Sequence, residues 1–139
     1  MQGSLSAEQC VAGSTVAAPG AGHYTAPLMP TPSPVRLVFS SCPDAASADA
    51  IAQALVGERL AACVSRMPGM RSTYRWQGAV ESTDEVQLLI KTSADRLDAL
   101  IERLRALHPY ELPEAVAVEA CGGLPQYLHW VAEQTRDDD

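Results

Sequence analysis

The strongest constraint on this chain is an amphipathic helix that ends in a rigid, polar turn. Apolar side chains recur at helical spacing and form one stripe: Leu97, Leu100, Ile101, Leu104 and Leu107. This spacing predicts a helix that packs one face on a core. The helix must end before Pro109, because a residue that precedes proline is pushed out of helical geometry. An imidazole, a phenol and a carboxylate crowd the segment between Leu107 and Pro113, which makes it a candidate functional turn.

Periodic segments on both sides of this helix complete the fold. Strands are expected over 35–40, 61–66 continued by 70–76, 85–91 and 114–120, with a first helix near 44–57 and a last one over 124–134. The order β-α-β-β-α-β plus a helix predicts an α+β, ferredoxin-like split β-α-β sandwich with a long hairpin between its second and third strands. Handedness rules place the third strand between the first two, and the fourth beside the first.

Local signals refine the helices and the hairpin. Asp44 or Ser47 is expected to cap the first helix, and Thr92 with Asp95 has capping-box spacing before the second. Gln77-Gly78 predicts a two-residue hairpin turn. The last helix is expected to turn three side chains inward, namely Tyr127, Trp130 and Val131.

The charge pattern divides the chain into three parts. Residues 1–34 contain five prolines and a single charged side chain, so we expect a disordered Pro/Ala/Gly-rich extension. Residues 35–134 form the folded domain, and 135–139 an acidic tail. The net charge of -7 opposes binding to nucleic acid, and no stretch is long and apolar enough to span a membrane. Four cysteines without C-x-x-C spacing favour a reducing cytoplasm.

The predicted topology brings distant segments to one edge of the sheet. The end of the first strand (40–42), the hairpin tip (76–78) and the turn after the second helix (108–113) should gather there. The extended stretch from 61 to 76 spans about 50 Å at roughly 3.3 Å per residue, whereas a domain of about 100 residues has a radius of gyration near 13 Å. The hairpin therefore outruns its own core, and we expect a cyclic oligomer to cover Tyr74 and Trp76.

Several motifs, in order, give the chain a family resemblance. They are Cys42-Pro43-Asp44, residues 58–64 (ERLAACV), Pro68-Gly69, residues 74–78 (YRWQG), 85–92 (EVQLLIKT), 108–114 (HPYELPE) and 127–130 (YLHW). Together they resemble the CutA family of divalent-cation tolerance proteins, over about residues 35–134. The resemblance implies a ferredoxin-like subunit in a homotrimer similar in shape to PII signalling proteins. It also implies binding of copper or another divalent cation, with a role in metal tolerance.

The copper site of some bacterial relatives is only partly kept. Those relatives have a Cys at the position of Ser40 and two His at the positions of Leu107 and His108. Here His108 alone remains, with Cys42 two residues from the expected thiolate. His108, Cys42 and Glu111 are therefore the candidate metal ligands, since imidazole and thiolate suit copper and zinc. The alternative is that His108 caps the C-terminus of its helix.

Other roles for these side chains are open. Cys42 precedes a helix N-terminus, where the dipole lowers a thiol pKa, so a nucleophilic Cys42 with His108 as its base is an enzyme hypothesis. Tyr74, Trp76 and Tyr110 either line a ligand cleft or pack between subunits. Cys63 is expected to be a small core residue.

The sequence thus favours a non-catalytic, cytoplasmic, homotrimeric protein that binds divalent metal ions, copper among them. The alternative is a PII-like signalling or scaffold module that binds a small molecule or a protein at its subunit clefts.

Overall fold

The computed structural model describes residues 34–137. The predicted extension, up to residue 33, and the last two residues of the acidic tail lie outside this range. The elements are β1 (Val35–Cys42), α1 (Ala45–Gly57), β2 (Cys63–Trp76), β3 (Ala79–Ser93), α2 (Leu97–Leu107), β4 (Val116–Glu119) and α3 (Pro125–Gln134). A short 3-10 turn, Ala94–Arg96, leads into α2. The predicted element order and the α+β class are confirmed.

The four strands form one sheet in the order β2-β3-β1-β4, and all neighbouring pairs are antiparallel. This is the predicted ferredoxin-like arrangement, with β3 between the first two strands and β4 beside β1. Among the described residues no helix is long and apolar enough to cross a bilayer.

The main core lies between one face of the sheet and helices α1 and α2. Its fully buried large side chains are Val38, Ile51, Leu55, Leu88, Ile90, Leu100 and Leu104. Burial of one such side chain contributes roughly 1.5–3 kcal/mol to stability.

The opposite face of the sheet is only partly covered. Helix α3 closes one end of it, where Val131 packs against Val35 and Ala62. The rest of this face, which we call the open face, carries apolar side chains with no covering layer in the described chain. On β4, Val116 is 55% exposed and Val118 is 43% exposed, beside Phe39 and Leu37 of β1.

The hairpin of β2 and β3 extends past this core, as predicted. Gln77 and Gly78 both have positive φ, at 49° and 84°, which is the geometry of a type I′ turn. The turn pairs Trp76 with Ala79 and Tyr74 with Glu81. A β-bulge interrupts the β2–β3 register between Met67 and Met70.

Three predictions about individual residues were wrong. Thr92 is a buried β3 residue whose hydroxyl donates to the Leu60 carbonyl at 2.6 Å, so it does not cap α2. Tyr127 and Trp130 are each 40% exposed on α3, which leaves Val131 as the inward residue of that trio. Cys63 is partly exposed and lies outside both core clusters. Of the two predicted caps of α1, Asp44 or Ser47, the structure has Asp44, whose carboxylate accepts the Ser47 N–H at 2.8 Å.

The buried Thr92 bond gives a stability prediction. Thr92→Val keeps the side-chain shape but leaves the Leu60 carbonyl without its donor, so we expect a loss of about 1–3 kcal/mol in the free energy of unfolding, measured by chemical denaturation. The matched control is Thr73→Val, which removes an exposed bond to Ser82 on the hairpin and should change stability by less than about 0.5 kcal/mol. Equal effects of the two substitutions would contradict the role of Thr92.

Candidate functional site

A groove of about 760 Å³ lies where the hairpin meets the turn after α2. Its lining comes from three segments: Ser41 of β1, the hairpin (Ser72–Trp76, Glu81 and Glu85), and the turn from Pro109 to Glu114. These are the segments that the sequence placed at one edge of the sheet. The volume lies in the range of ordinary small-molecule pockets.

His108 ties the turn to the end of β1. It is the C-cap residue of α2, as the alternative prediction had it, but its ring does not bond the helix carbonyls. Instead Nε2 lies 2.7 Å from the Ser41 carbonyl oxygen, and Nδ1 accepts the N–H of Tyr110 at 3.0 Å. A carbonyl oxygen only accepts, so Nε2 carries the hydrogen and Nδ1 the lone pair. Both ring nitrogens are therefore engaged within the protein.

Cys42 lies against the same ring, in a buried position. Its Sγ is 3.8 Å from His108 Nε2, and the side chain is fully buried in the main core. The pKa of the Cys42 thiol is raised from 9.0 to about 11, chiefly by burial and also by the nearby Asp44 and Glu85 carboxylates, against the lowering effect of a hydrogen bond with Ser47. The prediction that the helix dipole lowers this pKa is wrong, because desolvation outweighs it.

Glu85 is a functional candidate that the sequence reasoning missed. The residue lines the groove and is only 8% exposed, and its carboxylate accepts a hydrogen bond from the Tyr110 hydroxyl at 2.9 Å. Burial and the neighbouring carboxylate raise the pKa of Tyr110 well above its usual value, so the phenol keeps its proton. The available signal was an acidic residue at the start of an apolar strand, where a buried charge needs a reason.

Aromatic side chains form the hairpin side of the groove. Tyr74 and Trp76 lie on one face of β2 and remain 40% and 36% exposed. The Tyr74 hydroxyl is 3.0 Å from that of Thr83. Tyr110 faces them from the turn and lies against the His108 ring, with centroids 4.8 Å apart. The structure thus brings Tyr74, Trp76 and Tyr110 to the lining of one groove; a ligand cleft and packing between subunits both stay predictions for them.

The predicted metal ligands do not form a ready-made coordination shell. Glu111 lies on the groove lining, whereas Cys42 and His108 are buried behind it. Within residues 34–137, no three His, Cys, Asp or Glu side chains are grouped to hold a metal ion. A metal at this place needs a lone pair of the imidazole, but Nδ1 of His108 accepts the Tyr110 N–H and Nε2 is directed to the Ser41 carbonyl. This arrangement does not fit a resident metal at Cys42 and His108, and ligation there stays a prediction.

Ser40 lies at the position where the family resemblance implies a thiolate ligand. Its hydroxyl is fully buried on the core side of β1 and has no hydrogen-bond partner within the described residues. It therefore supplies a neutral oxygen at the position where the family resemblance implies a soft sulfur.

The fold and groove define a ferredoxin-like α+β protein with a polar site at the end of its sheet, and the comparisons with known proteins name the family. The family model "CutA1 divalent ion tolerance protein" matches residues 36–134. The chain is 48% identical to the divalent-cation tolerance protein CutA of Thermus thermophilus, over 72% of this chain and 97% of that protein. It therefore belongs to the CutA1 divalent ion tolerance family.

Two further similarities support the same family membership. Protein CutA of Mus musculus is 43% identical over 75% of this chain, which spans only 59% of the length of that mouse protein. The crystal structure of CutA from Xylella fastidiosa is 58% identical and superimposes with a TM-score of 0.74, over 75% of this chain and all of that one.

The buried thiol leads to a reactivity prediction. With a folded pKa of about 11, Cys42 should stay protonated and unmodified by iodoacetamide at about pH 8.5, whereas the exposed Cys121 reacts. Peptide mass mapping of the native protein measures both sites. Unfolding in guanidinium chloride is the control, because it returns the Cys42 thiol to its ordinary pKa and should make it reactive. Rapid labelling of Cys42 in the folded protein would revive the nucleophile hypothesis.

Proposed function

We propose that this protein binds divalent cations, copper among them, as cargo in metal tolerance, and that it does so without catalysis. The observation that carries the proposal is the charge of the groove. Its lining holds four carboxylates, from Glu81, Glu85, Glu111 and Glu114, against the single guanidinium of Arg75. Such an excess concentrates cations at the site. Family membership supports the tolerance role, since close relatives carry it in their names.

The cation is proposed to bind at the groove carboxylates rather than at the Cys42–His108 pair. Carboxylate oxygens are ordinary ligands of divalent ions. Binding there does not require the internal hydrogen bonds of His108 to be broken first. Glu111 is exposed on the groove lining, so it is accessible, whereas His108 is engaged at both nitrogens. The absence of catalysis is supported by the protonated, fully buried thiol of Cys42.

The second candidate function is the binding of a small molecule by a PII-like module. It is favoured by a different observation, which is that three aromatic side chains line the same groove. A hydrated metal ion does not pack against aromatic rings, whereas an organic ligand does.

We place the protein in the cytoplasm as a homotrimer. Cys42, Cys63 and Cys121 are free thiols, which suits a reducing compartment. The trimer is supported by the open face, where Val116 and Val118 expose apolar surface beside two β1 side chains. Exposed apolar patches of this kind mark interfaces, and a cyclic assembly also covers the free edges of the sheet.

The assembly is tested by light scattering. The wild-type protein should have three times the 14.8 kDa mass of one chain. Val118→Glu places a charge on the open face and should lower that mass at micromolar concentration. The matched control is Val56→Glu on α1, because Val56 is equally exposed, at 43%, but lies outside this face. A wild-type monomer would contradict the trimer.

The metal role is tested by calorimetric titration of copper(II) into the full chain. We expect saturable binding that Glu111→Gln weakens several-fold, because one groove carboxylate is lost, and that Glu102→Gln on the outside of α2 leaves unchanged. Cys42→Ala keeps the hydrogen bonds of His108 to the turn and to β1, and should also leave binding unchanged. If the Cys42 and Glu111 variants both lose binding, the His108, Cys42 and Glu111 site is the correct one. If the wild-type protein shows no saturable binding, the metal role is wrong.

A further inference from the structure

The groove contains a buried carboxylate whose charge has no partner. Glu85 is 92% removed from solvent, yet within residues 34–137 it forms no ion pair. Its recorded bond is the one from the Tyr110 hydroxyl. A buried carboxylate is normally paired with a cation, because removing it from water is costly. Since Glu85 lines the groove, a cationic ligand there would supply the missing partner.

The surroundings of Glu85 select the kind of cation. Tyr74 and Trp76 share the hairpin face with Glu81 and Glu85, as the register of β2 and β3 requires. Tyr110 closes the other side and holds Glu85 by its hydroxyl. Aromatic rings attract cations over their faces and also pack against methylene groups. This combination suits a cation that carries apolar surface, which a metal ion lacks.

The remaining carboxylates indicate more than one positive charge on the ligand. Glu111 and Glu114 lie on the turn side of the groove, and Glu81 lies further along the hairpin from Glu85. Acidic groups are thus distributed along the lining, against one guanidinium. The same charge opposes phosphates, nucleotides and other anions.

From this geometry we infer that the groove binds an aliphatic di- or polyamine, with one ammonium group on Glu85, the methylene chain between the aromatic rings, and further ammonium groups on the outer carboxylates. This inference rests on the second function proposed above, the binding of a small molecule, and it is independent of the metal role. Glu85 and Trp76 are the binding residues it assigns, and Tyr110 is the residue that positions Glu85.

The inference is tested by calorimetry on the full-chain protein in its native assembly, with spermidine and hexamethylenediamine as probes and EDTA present throughout. We expect saturable binding at physiological ionic strength. Hexanediol has the same chain length without charge and should not bind, and inorganic phosphate should not bind either. EDTA removes metal ions, so failure here leaves the copper experiment unaffected, and failure with copper leaves this one unaffected.

Single substitutions test the two proposed contacts with the amine. Glu85→Gln should weaken amine binding at least about tenfold, and Trp76→Leu should weaken it as well. Trp76 lies on the exposed hairpin, so its replacement tests the site even if the buried Glu85 variant does not fold. Glu102→Gln is the control for a general loss of negative charge. The inference is overturned if no amine binds, if hexanediol binds equally well, or if Glu102→Gln weakens binding as much as Glu85→Gln does.

Discussion

The architecture of the site depends on the imidazole of His108, which bonds two backbone groups that the sequence separates widely. One nitrogen contacts the carbonyl of Ser41 at the end of β1, and the other accepts the N–H of Tyr110 in the turn after α2. Because the ring is buried, neither bond competes with water, and loss of one partner would leave a buried polar group unsatisfied. The turn is thereby held so that the Tyr110 hydroxyl reaches Glu85 of β3. His108 thus joins β1 to the turn directly, and Tyr110 joins the turn to β3.

Much of the fold follows from patterns within the sequence. The apolar stripe of α2, the Gln77-Gly78 turn and the Asp44 cap are local signals, and each predicted its structure correctly. Handedness then fixed the strand order. The capping-box prediction at Thr92 failed because its hydroxyl has a better partner in Leu60, 32 residues away in the chain, which only the tertiary structure reveals.

The site was less predictable for the same reason. The topology showed that Ser41, Trp76 and the turn after α2 would meet, and they do. It did not show how deeply each group would be buried, so the helix dipole was given too much weight at Cys42. Glu85 was missed because its importance comes from burial without an ion pair, and neither property is visible in a strand pattern. Site properties that depend on residue type could be predicted from the sequence. Properties that depend on how far a side chain is removed from water could not.

The bulge between Met67 and Met70 determines which side of the protein carries the aromatic residues. Before it, Arg66 pairs with the buried Leu88 and contacts Asp49 of α1, so even-numbered β2 residues face the helices. After it, Tyr74 and Trp76 pair opposite Glu81 and Ala79, on the other side of the sheet. One additional residue therefore shifts the strand by half a pleat repeat. Without the bulge, the register that pairs Arg66 with Leu88 would continue along β2 and place Tyr74 opposite Val80, on the helix side. The aromatic side of the groove therefore depends on the phase of the strand as well as on its side chains.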